Sequence, residues 1–250
     1  LAFENKIRRK KRKIMATHSV THSASPDGWS LCGTLRLLAL LLLGSTAVAQ
    51  TSAWELKRDL EGIKVFTRSV DGSPFKEVRS ESTITGVTLN SLVALIEDAQ
   101  ACPNWADKCA QSYLVERTSA TQSLVYTHND MPFPVSDRDV VAKVIWQQDP
   151  QSLNVKMTST AVSGGVEPQR GRLRLTNANA MWQFSPNPNG SISVVIQAHI
   201  DPGSSIPGWV TNMLLVDTPF ETMKSYLAEV LKPKYQAANI AFVTEPASSN

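Results

Sequence analysis

The amino-acid sequence predicts an α+β fold, a mostly antiparallel β-sheet closed by a long C-terminal α-helix. Three observations point there. Between Tyr113 and Ile200 the hydrophobic period is two, in runs divided by Asp149-Pro150, Gly164-Gly165 and Asn187-Pro188-Asn189-Gly190 at hairpin spacing. After Asp201-Pro202-Gly203, the residues Trp209, Met213, Val216, Phe220, Met223, Leu227 and Val230 recur at steps of four and three, one apolar stripe on a helix face. No internal repeat or long linker divides the chain beyond position 49, and about 200 residues suit one domain.

In chain order, Trp54 to Leu60 reads as a short helix stopped near Gly62, followed by an alternating strand from Ile63 to Thr67. Asp71-Gly72-Ser73-Pro74 is a turn that makes a hairpin with Lys76 to Ile84. Thr88 is placed to cap a helix whose apolar positions Leu89, Leu92, Val93, Leu95, Ile96 and Ala99 follow the 3.6 period, and Pro103 starts a shorter second turn. Strands are expected at Leu114–Glu116, Ser123–Asn129, Asp139–Gln147, Leu153–Thr160, Arg170–Thr176, Met181–Phe184 and Ile192–Ile200. The last helix opens at Pro207, a position that tolerates proline, and would run about 40 Å to Lys232. Pro219 removes one hydrogen bond and clashes with the Leu215 carbonyl, so a kink or short break is expected there. The folded domain is placed at residues 50–240, with 241–250 as a disordered end.

Residues 1–49 read as a cleaved signal peptide. Leu35 to Leu43 is apolar apart from Arg36 and is shorter than the ~20 residues of a membrane span, and Ala47-Val48-Ala49 supplies the small-x-small cleavage pattern. A retained anchor would need a longer apolar run. Met15 would begin a signal of more usual length, which makes residues 1–14 an over-extended start. Arg8-Arg9 is followed by Lys10 to Lys13 where a twin-arginine signal wants an apolar group, and Cys32 precedes the apolar run that a lipoprotein cysteine would end. The expected location is therefore periplasmic or secreted. The whole chain carries a formal +3, but residues 1–49 hold eight of its 25 basic and two of its 22 acidic side chains. The remainder has 17 against 20, a formal −3, which argues against a nucleic-acid binder. It keeps two cysteines, Cys102 and Cys109, an even number in a compartment where disulfides persist, and a bridge between them is expected. One straight helix would hold their Cα atoms about 10 Å apart, beyond disulfide reach, so the segment must bend. A zinc or redox pair would want CxxC spacing and nearby His ligands.

Catalytic signatures are nearly absent. No HExxH, GxSxG, Walker loop or GxGxxG occurs, so neither metal nor cofactor is implied. Ser136-Asp137-Arg138-Asp139 sets two carboxylates on one face at a strand entrance, which reads more simply as a solvated Asp–Arg ion pair than as an acid/base couple. His199 is in phase with Ser193 and Gln197, either facing solvent or hydrogen-bonding a polar head in a pocket. Arg170, Arg172 and Arg174 share a face that is either merely exposed or meets an anionic membrane. Trp105, Trp146, Trp182 and Trp209 fall on elements that surround the interior, where they either fill a core or line a cavity. Met157, Met181, Met213 and Met223 suit adaptable walls.

Three stretches carry a family resemblance. Cys102-Pro-Asn-Trp105, Pro132-Phe-Pro-Val-Ser-Asp-Arg-Asp139 and Asp201-Pro-Gly-Ser-Ser-Ile-Pro-Gly-Trp209, with the long helix after the last, resemble the START domain, a helix-grip lipid-binding family, over roughly Trp54 to Tyr235. The resemblance implies a curved antiparallel sheet wrapped around the C-terminal helix, enclosing a tunnel that holds one lipid or sterol-like ligand without catalysis. It implies Trp105, Tyr126, Trp146, Trp182, His199, Trp209, Met213, Leu214 and Phe220 as lipid-binding residues, an entrance at Ser204 to Gly208, and transient contact of a monomer with membrane surfaces. The competing reading is an enzyme of the cyclase or aromatase type on the same fold, for which His199, Tyr126 and Asn129 would be the available polar groups. A third is an interaction module with a filled core.

Overall fold

Alternating side chains from Ile63 to Ile200 assemble one twisted antiparallel sheet in the computed structural model, which describes residues 52–247. The signal-peptide reading of 1–49 falls outside the described residues. The strands are β1 (Glu55–Leu60), β2 (Ile63–Arg68), β3 (Glu77–Ile84), β4 (Cys109–Ser119), β5 (Gln122–Asn129), β6 (Asp137–Gln148), β7 (Val155–Ala161), β8 (Arg172–Arg174), β9 (Ala178–Pro186) and β10 (Ile192–Ile200). Their order is β1-β2-β3-β10-β9-β7-β6-β5-β4, with the short β8 paired parallel to the start of β6.

Two expectations are corrected. Trp54 to Leu60 is the edge strand β1 and not a helix. Leu56 and Leu60, four apart, imitate a helical stripe, but both stand half exposed on a sheet edge. The residues between β1 and β2 explain the choice: Glu61 at φ 52° and Gly62 at φ 74° form the two-residue left-handed turn that matches strand twist. The segment 170–176, expected to be a strand throughout, yields only three strand residues, and they make a parallel pairing, with β6, in a sheet otherwise antiparallel.

Helix α1 (Leu89–Glu97) begins as the sequence reads, with Thr88 Oγ1 accepting the Ser91 amide. A 3₁₀ turn (Ala99–Ala101) leads into α2 (Cys102–Trp105), and the chain then doubles back so that Cys102 and Cys109 meet in a disulfide with Cα atoms 6.0 Å apart. The C-terminal helix runs as α3 (Gly208–Asn212), a π-helical turn (Met213–Asp217) and α4 (Thr218–Glu229), followed by the short α5 (Pro233–Gln236). Pro219 sits in the first turn of α4, and the expected interruption takes the form of the π turn just before it, where the Thr218 amide reaches back to the Met213 carbonyl. Widening the turn relieves the clash that a proline ring imposes on a regular helix.

The core lies between one face of the sheet and these helices. Val65, Val155, Trp182, Phe184 and Val194 from the strands meet Leu92 and Leu95 of α1 and Phe220, Met223, Tyr226 and Val230 at the C-terminal end. The stretch 241–247, expected to be disordered, is instead docked: Phe242 lies tilted against Trp146 with ring centres 6.0 Å apart, Thr244 exchanges hydrogen bonds with the Gln148 side chain, and Glu245 accepts from the amides of Leu89 and Asn90. A carboxylate at a helix N-terminus satisfies donors that the helix itself leaves free. Among the described residues no helix is long and apolar enough to cross a membrane.

Candidate functional site

The two faces of the sheet have different chemistry, and strand pairing shows which residues share each. On the inner face, Val144 and Ala142 of β6 neighbour Ser123 and Val125 of β5 and Ser159 and Ala161 of β7, and Trp146 neighbours Met157. The helical segment from Ile96 to Trp105 crosses this face without filling it and leaves a partly open cavity of about 160 Å³. Its sheet wall includes Val125, Val140, Ala142 and Met157, and its helical wall Ile96 and Trp105. Ser112 and Thr127 also line it, and their hydroxyls are engaged: Ser112 donates to the Tyr126 carbonyl at 2.9 Å and lies 3.1 Å from Thr127 Oγ1. At one side Glu97 binds Arg117 at 2.5 Å and accepts from the Trp146 indole at 2.6 Å. The enclosed surface suits an apolar chain and presents no nucleophile–base pair.

The outer face carries a buried polar network beneath the segment 162–175. Asp139, fully buried, accepts from Arg174 Nε at 2.7 Å and Nη2 at 3.1 Å and from the Tyr126 hydroxyl at 3.0 Å, while Arg172 donates to that hydroxyl at 2.6 Å. Burial alone would raise the Asp139 carboxyl, and the hydrogen bonds of Arg174 and Tyr126 outweigh it and hold the group below the ordinary carboxylate range. The same burial raises the Tyr126 phenol. Beside them His128 Nε2 lies 3.0 Å from Asp137 Oδ2 and 3.5 Å from Asp130 Oδ1, a set of donor atoms able to hold a divalent cation. Asp137 is already engaged by the Met131 amide at 2.9 Å, which with His128 lowers its carboxyl against the effect of burial.

Of the nine residues expected to bind lipid, the cavity is lined by Trp105. Trp105 stands edge-on to Trp182 and Tyr226, with ring centres 5.6 and 5.3 Å away, so Trp182 backs the wall. Trp146 is on the inner face beside the cavity, its indole spent on Glu97. Phe220 is buried in the core with the Arg58 guanidinium 4.9 Å above its ring. Met213 and Leu214 lie in the π turn, half-buried, and Trp209 is 54% exposed at the helix start. Two placements are corrected. Tyr126 is on the outer face, held by Asp139 and Arg172, and His199 is also outside, bonded to Ser73 Oγ at 3.0 Å and the Phe75 carbonyl at 3.3 Å. A period of two identifies a strand but assigns no face when both faces are covered. For the same reason Asp139 is no solvated strand entrance, and the expected patch is divided: Arg174 is paired with that buried acid, Arg172 is half-buried on the Tyr126 hydroxyl, and Arg170 is exposed.

Arg138, expected in a solvated ion pair with its neighbouring acids, is a further correction. It is 4% exposed and lies on the inner face, opposite Asn129. Its guanidinium ties two loops together, donating to the Ser136 carbonyl of the β5–β6 loop and to Ser204 Oγ at 3.0 Å and the Pro202 carbonyl at 3.4 Å in the loop before α3. Desolvation lowers its pKa, and the nearby Asp137 partly restores it. Its alternation between Asp137 and Asp139 was the available signal: three successive charged residues in a strand cannot all face solvent.

A sequence model of the START domain matches residues 38–234. An uncharacterized protein of Pseudomonas aeruginosa is 31% identical over 194 residues, covering 77% of this chain and 95% of the relative. The crystal structure of the STAR-related lipid transfer protein of Xanthomonas axonopodis superposes with a TM-score of 0.65 at 32% identity, over 72% of this chain and 99% of that one. Human StAR-related lipid transfer protein 5 shares the fold, with a TM-score of 0.64 at 18% identity over 71% of this chain and 86% of its own.

Proposed function

The chain belongs to the START domain family, and from that membership we propose that it binds a single lipid or other hydrophobic ligand and carries it between membranes, without catalysis. The observation that carries this reading is the apolar cavity between β4–β7 and the segment from Ile96 to Trp105. Each methylene moved from bilayer to cavity stays out of water, where exposure costs ~0.8 kcal/mol, so transfer depends on opening at a membrane more than on affinity in solution.

The C-terminal helix is held unevenly, which supports its use as a gate. Phe220, Met223, Tyr226 and Val230 are buried, Thr218 donates to Asp107 at 2.7 Å, and Asp217 binds Arg58 at 2.6 Å. Toward the N-terminus α3 buries Val210 alone, and the π turn buries no residue and is held only at its last position, Asp217. The expected movement is of the segment from Pro207 to the π turn. The 92%-exposed Phe133, on one of the loops that Arg138 joins, and exposed Trp209, in the helix that the other loop leads into, are suited to enter a bilayer interface. We place the protein in the periplasm or outside the cell, acting as a monomer.

Native mass spectrometry of protein purified from its own envelope, followed by organic extraction, tests the binding step. One stoichiometric lipid released on unfolding is the expected result. A clean apo mass that persists after incubation with mixed phospholipids and sterols overturns it. For transfer, an engineered disulfide that tethers Trp209 or Met213 to the facing loop is expected to abolish exchange between vesicles while the fold persists, and unchanged exchange refutes the gate.

A further inference from the structure

The cavity-lining residues Val140 and Ala142 are followed on the same face of β6, one pleat beyond Val140, by Arg138. The two acids that flank it in sequence point the other way and are already taken. Asp137 serves His128 and the Met131 amide, and Asp139 serves Arg174 and Tyr126. Among the described residues the Arg138 guanidinium therefore meets neutral oxygens: the Ser136 carbonyl, Ser204 Oγ at 3.0 Å, and the Pro202 carbonyl at 3.4 Å from both Nε and Nη2. The two Pro202 contacts exceed the usual 2.7–3.2 Å of an N–H···O bond.

A guanidinium with 4% exposure and no counter-charge in hydrogen-bond contact, only Asp137 acting on it from the other face, is an unfavourable arrangement that a bound anion would correct. Its planar fork matches a carboxylate or phosphate, which can accept two parallel hydrogen bonds and replace the long ones to Pro202. The cavity, whose lining on β6 begins at Val140, one pleat from Arg138, has about 160 Å³, less than the ~300–1,000 Å³ of sites for drug-sized ligands, and fits one chain better than two. We propose that the ligand is a single-chain amphiphile with an anionic head, bound with its head oxygens on Arg138 between the Ser136 and Ser204 loops and its chain along Val140 and Ala142 toward Trp105. This rests on the carrier reading above and narrows it to a class of ligand.

Binding of decanoate, decyl phosphate and decanol to the delipidated full chain, measured by calorimetry at neutral pH, tests the proposal. Either anion is expected to bind at least about tenfold tighter than decanol, in line with a desolvated charge-assisted bond. Arg138→Met should bring anion and alcohol within about twofold of each other, and Arg138→Lys should keep part of the preference. The wild-type comparison decides even if Arg138→Met fails to fold. Equal affinity of the wild-type protein for the three overturns the anionic head and leaves the carrier reading standing. A preference that survives in Arg138→Met overturns the assignment to Arg138. Failure of all three to bind, with no lipid released from the native protein either, refutes the carrier reading itself.

Discussion

Removing the Asp139 carboxylate should cost more stability than any other single polar substitution in the sheet. In Asp139→Ala the Arg174 guanidinium loses its contacts at 2.7 and 3.1 Å and keeps the carbonyls of Val166 at 3.0 Å and Glu167 at 3.4 Å. The Tyr126 hydroxyl loses its acceptor and faces Arg172 alone. Breaking a buried ion pair from one side costs about 3–5 kcal/mol, and the surviving carbonyl contacts place this case near ~3 kcal/mol. With a urea m-value of about 2–3 kcal/mol/M, the unfolding midpoint read by tryptophan fluorescence should fall by about 1–1.5 M. Asp139→Asn keeps the shape and part of the hydrogen bonding, and should lose about half as much. Acid separates the charge from the shape. The folded carboxyl titrates below its unfolded value, so its contribution is complete above the unfolded pKa near ~3.9 and disappears as pH falls through the folded one. Wild-type stability should therefore drop below about pH 4 with a component that Asp139→Asn lacks. An Asp139→Ala midpoint within about 0.2 M of wild type, equivalent to ~0.5 kcal/mol, refutes the network as a stabilising unit.

The remaining predictions concern the joints between elements. Glu245→Ala removes the acceptor of the Leu89 amide at 3.1 Å and of the Asn90 amide and side chain at 2.7 Å, and should cost about 1–2 kcal/mol in thermal or urea unfolding, with faster hydrogen exchange at the start of α1. Tyr226→Phe leaves the Leu92 carbonyl without its 2.7 Å donor in a fully buried site and should cost about 1–2 kcal/mol, seen in the same assay. Reducing the Cys102–Cys109 bridge, or Cys102→Ser with Cys109→Ser, should lower stability by about 2–3 kcal/mol, the loop-closure value for so short a loop, in unfolding curves with and without reductant. Gly203→Ala sets a Cβ 2.5 Å from Leu173 Cδ2 at a φ of 76°, and should lower the melting temperature by a few degrees, about 1–2 kcal/mol, where a substitution at open Gly190 meets no such neighbour.

Most strands and the capped helix α1 were legible because each repeats a period over six or more residues. What periodicity left undetermined was orientation. Tyr126 and Val125 are adjacent and both are apolar enough to be core, yet one stacks outside against Tyr113 and the other lines the cavity. The outer face is covered by the segment 162–175, so Val140-Val141-Ala142 reads as a continuous apolar run and gives no polar side by which to orient the strand. Glu61-Gly62 also escaped notice: a glycine after a presumed helix looks like a stop signal, whereas here two successive residues with positive φ make a hairpin. Arg138 was hidden by its neighbours, because an Asp-Arg-Asp triplet suggests a surface ion pair until register sends the acids to one face and the base to the other.

That division of charge bears on how a gate could be built at all. The buried acid on the outer face is balanced within the sheet, so the network of Asp139, Arg174 and Tyr126 has no reason to change when a ligand enters. Arg138 is balanced by neutral oxygens of two loops, one carrying exposed Phe133 and the other leading to exposed Trp209. Opening the segment from Pro207 to the π turn sacrifices Val210, and swinging out the loop before it also breaks the Arg138 contacts of Ser204 and Pro202, while Phe220, Met223, Tyr226 and Val230 stay buried beyond the π turn. The Arg138 contacts are a polar part of what such an opening breaks, and an anion that competes for the same guanidinium weakens that latch as it binds. Ligand and gate would in this way be coupled through one side chain, and the coupling has a sign. A filled site should show faster hydrogen exchange at the amides of 203–206 than an empty one, the reverse of the protection that binding usually confers. Slower exchange there on ligand binding would mean that Arg138 keeps the loops closed over the ligand and does not release them.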